Sequence, residues 1–154
     1  MDAVARIECA EKLTAVFGYW PSFHDAEVVW VRLDRRPACE GTYGPTLEAS
    51  IHAFEMTDEV GPGGFCVLRH HVLVHFRFHD VVELALEDLN HQNVFFELSI
   101  SDIRDRQMEG IEFEVALYSS FGLDGTFQCG RVEVVDVTPC GPDAGPLPDG
   151  IAGR

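Results

Sequence analysis

The chain has 154 residues, enough for one domain, and 46% of them are hydrophobic, so one ordinary core can form. Its formal net charge is −15, from 26 acidic and 11 basic residues. This balance argues against binding to nucleic acid or to an anionic membrane, since both need a basic surface, and it favours a basic partner.

The first predicted element is a helix over residues 2–17. Apolar side chains recur there every three or four positions, which places them on one face. Asp2 can cap the start of this helix, and Gly18 is well placed to end it. The apolar face consists of Ile7, Ala10, Leu13, Val16 and Phe17.

The segment after this helix is crowded with aromatic residues around a His–Asp pair. Pro21 prevents a return to helix. We expect the segment to be a structural junction, in which Trp20 and Phe23 seal one end of the core. His24 or Asp25 would then hydrogen-bond backbone groups where helix gives way to strand.

From Glu27 onward the apolar period is two, which predicts about seven strands with one buried and one solvated face. The predicted strands are Val29–Leu33, Leu47–Ala53, Val72–Phe78, Val82–Leu86, Val94–Ile100, Ile111–Leu117 and Thr126–Val137. The last of them changes phase near Cys129–Gly130, which suggests a bulge. The predicted fold is α+β and mainly β, with the N-terminal helix packed on an antiparallel sheet or sandwich.

We expect a single globular domain over residues 1–138. The remaining tail, 139–154, is rich in Pro and Gly and is predicted to be disordered. Turn residues at 61–64, 90–93 and 123–125 are expected to connect strands within the domain.

The cellular compartment is predicted from three absences in the sequence. The first residues do not form a signal peptide, and no stretch approaches the ~20 apolar residues of a transmembrane helix. The five cysteines include no C-x-x-C pair and are interpreted as reduced thiols. We therefore expect a cytoplasmic protein.

Ser22, His24 and Asp25 contain the residue types of a hydrolase triad. In a triad the histidine lies between the nucleophile and the acid, each within hydrogen-bond reach. Side chains one and two positions apart on an extended segment diverge, so this geometry is disfavoured. No catalytic residue is predicted.

His71, His75 and His79 are spaced as zinc ligands would be on a helix. The apolar residues that alternate with them predict a strand instead, along which four residues span roughly 13 Å. Three histidines at that spacing cannot share one ion, whose ligand nitrogens lie ~2 Å away. We therefore predict no metal site and no cofactor, and expect these histidines and Arg77 on the solvated face of one strand.

Carboxylates recur on the solvated side of the fourth, fifth and sixth predicted strands. Sequential strands are usually neighbours, so these acids would form one negative face. Like charges across neighbouring strands destabilise a sheet, and a basic partner would relieve that repulsion. The alternative is that each acid is an ordinary solubilising residue. The candidate partner-binding residues are Glu83, Glu87, Glu97, Glu112 and Glu114.

The junction also carries a family resemblance. The sequence Trp20-Pro21-Ser22-Phe23-His24-Asp25-Ala26-Glu27-Val28 resembles the start of the immunity protein 50 family of bacterial polymorphic-toxin systems. Two later stretches agree in order, so the resemblance covers most of the chain from Phe17 to Val137. The motif residues that we expect to be structural are Trp20, Pro21, Phe23, His24 and Asp25.

This resemblance implies a small cytoplasmic protein, encoded beside a toxin, that binds the toxin and blocks it without being an enzyme. The acidic face would dock on a basic toxin, and a nuclease would suit this charge because its cleft must hold a phosphate backbone. Two alternatives stay open: a small-ligand or structural module, and a metal-dependent hydrolase that uses His24, Asp25 and the strand histidines. Exposed strand edges would also allow a homodimer.

Overall fold

A computed structural model describes residues 2–147 of the chain. Apart from two 3₁₀ turns at Ala3–Arg6 and Arg104–Arg106, these residues contain one helix, α1 at Glu11–Phe17, and eight strands. The strands are β1 Glu27–Asp34, β2 Thr46–Val60, β3 Cys66–His79, β4 Val82–Glu87, β5 Val94–Asp102, β6 Phe113–Phe121, β7 Asp124–Cys129 and β8 Arg131–Pro139. The predicted class, mainly β with an N-terminal helix, is confirmed. Within this part of the chain, no helix is long and apolar enough to cross a membrane.

The strands pair antiparallel in the order β4-β7-β6-β5-β1-β2-β3-β8. The sheet turns sharply at one corner, where β3 passes into β4 through Asp80 and Val81, and β7 passes into β8 through Gly130. The Gly130 N–H donates to the His79 carbonyl at 2.8 Å. A Cβ at position 130 would lie 2.5 Å from the Gly110 carbonyl oxygen, so only glycine fits this corner.

The corner corrects one prediction about the strands. The single bulged strand predicted over Thr126–Val137 is wrong, because the chain changes partners at Gly130. Before that residue β7 pairs with β4 and β6, and after it β8 pairs with β3. The described residues therefore contain eight strands where about seven were predicted.

The corner folds the sheet into two layers, β1–β2–β3–β8 and β5–β6–β7–β4, with the core between them. Phe78 of β3 meets Phe127 of β7 edge to face, with ring centroids 5.0 Å apart. At one end of the core, Trp20 and Phe23 pack on Phe76, with ring centroids 6.1 Å and 5.8 Å away. The segment that precedes β1 thus closes the space between the layers.

The continuous helix predicted over residues 2–17 is wrong, because its middle pairs with the edge strand β8. The Glu8 N–H donates to the Val132 carbonyl, and the Val134 N–H donates to the Glu8 carbonyl, both at 2.9 Å. Cys9 then takes a positive φ of 59°, and α1 begins two residues later. The helix ends at Gly18 in the left-handed conformation, as its position predicts.

The tail predicted over residues 139–154 is only partly described. Cys140 is buried, and its N–H donates to the His71 carbonyl at 3.0 Å. Residues 148–154 lie outside the described residues. The disorder assigned to the tail, like the domain boundary at 138, stays a prediction.

The two layers leave one side open, between β1 and β4. β1 pairs with β2 along its length, but it pairs with β5 only at Glu27 and Val94. β4 pairs with β7 alone and stands at the end of the sheet. Two hollows lined by both strands lie between their unpaired edges.

Candidate functional site

The junction segment is a tight turn held by backbone hydrogen bonds. Phe23 and Asp25 both have positive φ angles, 61° and 66°, and the Ala26 N–H donates to the Phe23 carbonyl at 3.0 Å. The Asp25 N–H donates to the Phe95 carbonyl at 2.9 Å, which joins the turn to β5. Pro21 and Phe23 are buried, so these two side chains face the core.

The His24 side chain is directed at the backbone of β5. Its Nδ1 lies 2.9 Å from the Phe96 carbonyl oxygen, so Nδ1 must carry the proton and donate it. The Ser22 hydroxyl oxygen accepts from the His24 backbone N–H at 3.2 Å, and not from the ring. The His24 Nε2 is 3.7 Å from an Asp25 carboxylate oxygen. These contacts lack the nucleophile–base bond that a triad requires.

The three histidines considered as zinc ligands, His71, His75 and His79, contact three different partners. His71 Nδ1 lies 2.9 Å from His52 Nε2, and His75 Nε2 lies 2.8 Å from the Glu48 carboxylate. His79 Nε2 lies 3.0 Å from Glu133 on β8. Across residues 2–147, no group of three or more His, Cys, Asp or Glu side chains is arranged to hold a metal ion.

The expectation that these histidines share a solvated face is wrong for His79, which is completely buried. It is the last residue of β3, at the corner of the sheet, whereas His71 and His75 on the same strand remain partly exposed. Asp80, at the corner, accepts hydrogen bonds from the N–H groups of Tyr43 and Gly44 at 2.6 Å and 2.8 Å. These bonds hold the loop between β1 and β2 beside the end of β3.

Glu48 is the centre of an ion-pair network on the outer face of β1–β2–β3. Its side chain is only 9% exposed and contacts Arg32, His75 and Arg77 at 3.1, 2.8 and 3.2 Å. Burial opposes its ionisation, but the hydrogen bond from His75 and the nearby charges outweigh burial, so the pKa of Glu48 lies below its ordinary value. Sequence reasoning missed this group, because Arg77 meets Glu48 only through the register of β2 and β3.

The five candidate glutamates do not form one row. β4 and β5 are sequential in the chain, but β7 and β6 lie between them in the sheet. The expectation that all three acidic strands are neighbours is therefore wrong for β4. Glu83 and Glu87 lie on this edge strand, whereas Glu97 lies on the outer face of β5.

Glu112 and Glu114, which we call the paired glutamates, already have arginine partners. Glu112 forms an ion pair with Arg6. Glu114 accepts two hydrogen bonds from Arg106 at 3.0 Å and 3.3 Å, and this guanidinium holds the pKa of Glu114 below its ordinary value. These two negative charges are therefore compensated within the chain itself.

Glu83, Glu87 and Glu97, which we call the free glutamates, are exposed. None of them forms an ion pair with another residue in the described range 2–147. Glu97 pairs in register with Tyr118, and it follows Phe96 directly in the chain. Tyr118 is 50% exposed, so an unpaired carboxylate stands opposite one solvent-facing aromatic ring, and the Phe96 ring, 59% exposed, lies against His24 with ring centroids 5.6 Å apart.

The hollows between β1 and β4 bring two of the free glutamates to an apolar surface. One, of about 360 Å³, is lined by Leu33, Glu83 and Leu84 among others. The next, of about 330 Å³, is lined by Leu33, Glu87 and Leu89 among others. Both hollows include Leu33 in their linings, so they lie next to each other along the edges of the two strands, and together we call them the β1–β4 groove.

A larger and more polar hollow, of about 460 Å³, lies near the start of β1 and is lined by Trp30, His52 and Asp143 among others. A small ligand, as in the alternative function, would bind in this hollow. The His52 ring is already bonded to His71. None of the buried, unbonded polar atoms found among residues 2–147 lies on its wall.

Comparison with known proteins gives one match. A family model described as Immunity protein 50 matches residues 10–140, which include α1, the junction and all eight strands described above. This match confirms the resemblance that the junction sequence carries. No curated protein and no solved structure matches the chain.

Proposed function

The chain belongs to the Immunity protein 50 family, and we propose that it neutralises a cognate protein toxin by binding to it. The family match over residues 10–140 carries this proposal, because it extends over the whole two-layered fold. In this proposal the chain acts in the cytoplasm by covering a surface of the toxin. It therefore has no reaction to catalyse and needs no cofactor.

Charge supports a basic toxin surface as the target. The net charge of −15 would attract a basic partner over several ångströms and raise the rate of encounter. A nuclease fits this requirement, since its cleft must be basic to hold a phosphate backbone. Occlusion of such a cleft by carboxylates would stop access of the nucleic acid.

We assign the contact to the free glutamates rather than to all five candidates. Glu83, Glu87 and Glu97 form no ion pair among residues 2–147, so a basic partner would supply their first ion pairs. Glu112 and Glu114 would have to exchange an arginine that they already hold. That exchange gains little, because one ion pair is broken for each that forms.

The surroundings of Glu97 support its place in the contact. Exposed aromatic rings are enriched at the centres of protein interfaces, where they supply contact area at low entropic cost. Tyr118 provides one such ring opposite Glu97, and Phe96, the preceding residue in the chain, provides a second exposed ring on β5. A basic side chain of the toxin could pair with Glu97 while its aliphatic part covers these rings.

Co-expression tests the proposal. The toxin domain encoded beside this chain is expressed in a bacterial host, with and without the chain, and growth is followed. We expect the chain to restore growth and to co-purify with the toxin domain as a stoichiometric complex. Unrescued growth together with the absence of a complex would contradict the proposed function.

A further inference from the structure

The groove between β1 and β4 has unpaired backbone on both sides. Beyond Val28, β1 has a hydrogen-bonded neighbour only on the β2 side, and β4 has one only on the β7 side. An open strand edge presents N–H and C=O groups that can pair with another extended chain. Among residues 2–147, no segment is paired with these two edges.

The floor and lips of the groove are apolar. Leu33 on β1 and Leu84 on β4 are 56% and 40% exposed, and Leu89 beyond β4 is 68% exposed. Val31 and Leu86 continue the apolar lining towards the core. An extended segment would place alternate side chains in the two hollows of about 360 and 330 Å³ while its backbone pairs with a strand edge.

The charges on the rim are predominantly acidic. Glu83, Glu87 and Asp88 are exposed and form no ion pair within the described part of the chain. Asp34 also lines the groove, but it forms ion pairs with Arg32 and Arg36, which lie outside the groove. One base, Arg35, stands among the described lining residues. An apolar strand that also carries basic side chains is the occupant that complements this rim.

A second copy of the chain is disfavoured as the occupant. Edge-to-edge pairing of two copies at this groove would bring Glu83, Glu87 and Asp88 of each copy together, and like charges across strands destabilise a sheet. Charged residues and bulges on an edge strand protect proteins from this kind of self-association. β4 carries the charged residues Glu83 and Glu87, and it has an irregularity where its register with β7 shifts between Val82 and Ala85. These acidic residues would attract a basic partner strand, whereas they would repel the same residues of a second copy.

We propose that the β1–β4 groove takes an extended segment of the toxin, which adds a strand to the free edge of β1 and directs basic side chains at Glu83, Glu87 and Asp88. This inference rests on the proposed function and names the form of the toxin element that is recognised. Backbone pairing with Val29–Asp34 supplies the register. The apolar residues of the segment cover Leu33 and Leu84, and its basic residues fix the orientation.

Hydrogen–deuterium exchange on the purified complex tests this placement. The probe is the toxin domain encoded beside this chain, bound at one-to-one stoichiometry. We expect those amides of Val29–Asp34 that point away from β2 to exchange at least about tenfold more slowly in the complex than in the unbound chain, because pairing with the toxin segment protects them from solvent. Amides at the tip of the β2–β3 hairpin, at residues 58–64, serve as the internal reference and should exchange at an unchanged rate.

A matched pair of variants tests the apolar contact. Leu33→Lys with Leu84→Lys places two cations in the groove, and we expect it to raise the Kd for the toxin domain roughly 30-fold or more. Val60→Lys with Leu68→Lys makes the same chemical change on the β2–β3 hairpin, at side chains that are 65% and 38% exposed. This control should change the Kd less than about threefold, as expected for residues outside an interface. Thermal unfolding of both variants checks that each is folded.

The outcomes separate this inference from the function on which it rests. A tight complex in which the amides of Val29–Asp34 gain no protection, with equal Kd values for the two double variants, would overturn the groove and leave the immunity function standing. A dimer of the chain alone that Leu33→Lys with Leu84→Lys dissociates would assign the groove to a second copy and would also overturn the inference. Failure of the unaltered chain to bind the toxin domain at all would overturn both proposals.

Discussion

The paired and the free glutamates carry the same charge in different surroundings. Glu112 and Glu114 each face an arginine that the fold brings to them. Glu83, Glu87 and Glu97 face solvent and form no ion pair within residues 2–147. The net charge therefore overstates how many carboxylates can form new ion pairs with a partner. The paired glutamates stabilise contacts within the fold, whereas the free glutamates remain available to attract a basic surface.

The same division applies to the two faces of the molecule. On the outer face of β1–β2–β3, Glu48 is surrounded by Arg32, His75 and Arg77, so acid and base are balanced inside the chain. Along the edge of β4, Glu83 and Glu87 border an apolar groove without such balance. Removal of charge from the first region should lower stability, whereas removal from the second should lower affinity for the toxin.

The largest effect on stability is expected from Glu48→Ala. The substitution leaves Arg32, His75 and Arg77 close together without the carboxylate that separates their charges, and breaking a poorly solvated network of this kind costs about 2–3 kcal/mol. Urea unfolding should show this loss in the free energy of unfolding. Glu48→Gln, which keeps a hydrogen-bond acceptor, should lose less. An unchanged free energy of unfolding in the alanine variant would mean that Glu48 does not stabilise the fold.

A smaller loss is expected from Arg6→Ala. Arg6 pairs with Glu112 and, at 3.1 Å, with Asp102, and its guanidinium lies 4.8 Å from the centre of the Phe113 ring. With 18% of this side chain exposed, we expect a loss of about 1–2 kcal/mol in the free energy of unfolding. Arg35→Ala is the control at an exposed arginine and should lose almost nothing. Equal losses in the two variants would mean that the pair with Glu112 does not support the fold.

Acid sensitivity is expected from His52 and His71. Burial lowers the pKa of both imidazoles, and the charge of His71 lowers that of His52 further. Because their pKa values are lower in the folded chain than in the unfolded chain, protons bind the unfolded state more readily. The stability contributed by the neutral rings is therefore present above about pH 6.5 and is lost as pH falls below it. Melting temperatures between pH 7.5 and 5.5 should fall less steeply in His71→Gln than in the unaltered chain.

The smallest effect on stability is expected from the free glutamates. Glu83→Lys, Glu87→Lys and Glu97→Lys together alter exposed side chains that have no described ion-pair partner, and they reduce the overall negative charge. The free energy of unfolding should change by less than about 0.5 kcal/mol for each substitution. A cooperative unfolding transition at nearly the same urea concentration is the expected result. A large loss would place these residues among those that support the fold.

The sequence predicted what depends on local pattern. Alternation of apolar residues located the strands, and Gly18 ended the helix where its position suggested. The break at Glu8 could not be read in the same way, because it arises from pairing with β8, more than a hundred residues later in the chain. The corner at Gly130 resembled a bulge, since a change of strand partner leaves the same phase shift in the sequence as an inserted residue.

The candidate site was predictable only as a set of residue types. All five glutamates are visible on alternating strands, but the arginines that compensate two of them come from the N-terminal turn and from the 3₁₀ turn before β6. The groove depends on the order of the strands, which places β1 opposite β4 although residues 35–81 separate them in the chain. Local periodicity contains neither kind of information, because both follow from long-range packing.

The central claim, that the free glutamates attract the toxin, is tested most directly by association rates. Binding of the toxin domain is measured by stopped flow at low and high salt for two variants with the same change in net charge. One carries lysine at Glu83, Glu87 and Glu97, and the control carries lysine at the exposed acids Glu40, Asp58 and Glu59. At low salt we expect the first variant to associate roughly 30-fold more slowly than the unaltered chain and the control only about threefold more slowly, with the difference shrinking at high salt. Equal rates for the two variants, or a rate for the unaltered chain that does not depend on salt, would contradict the account.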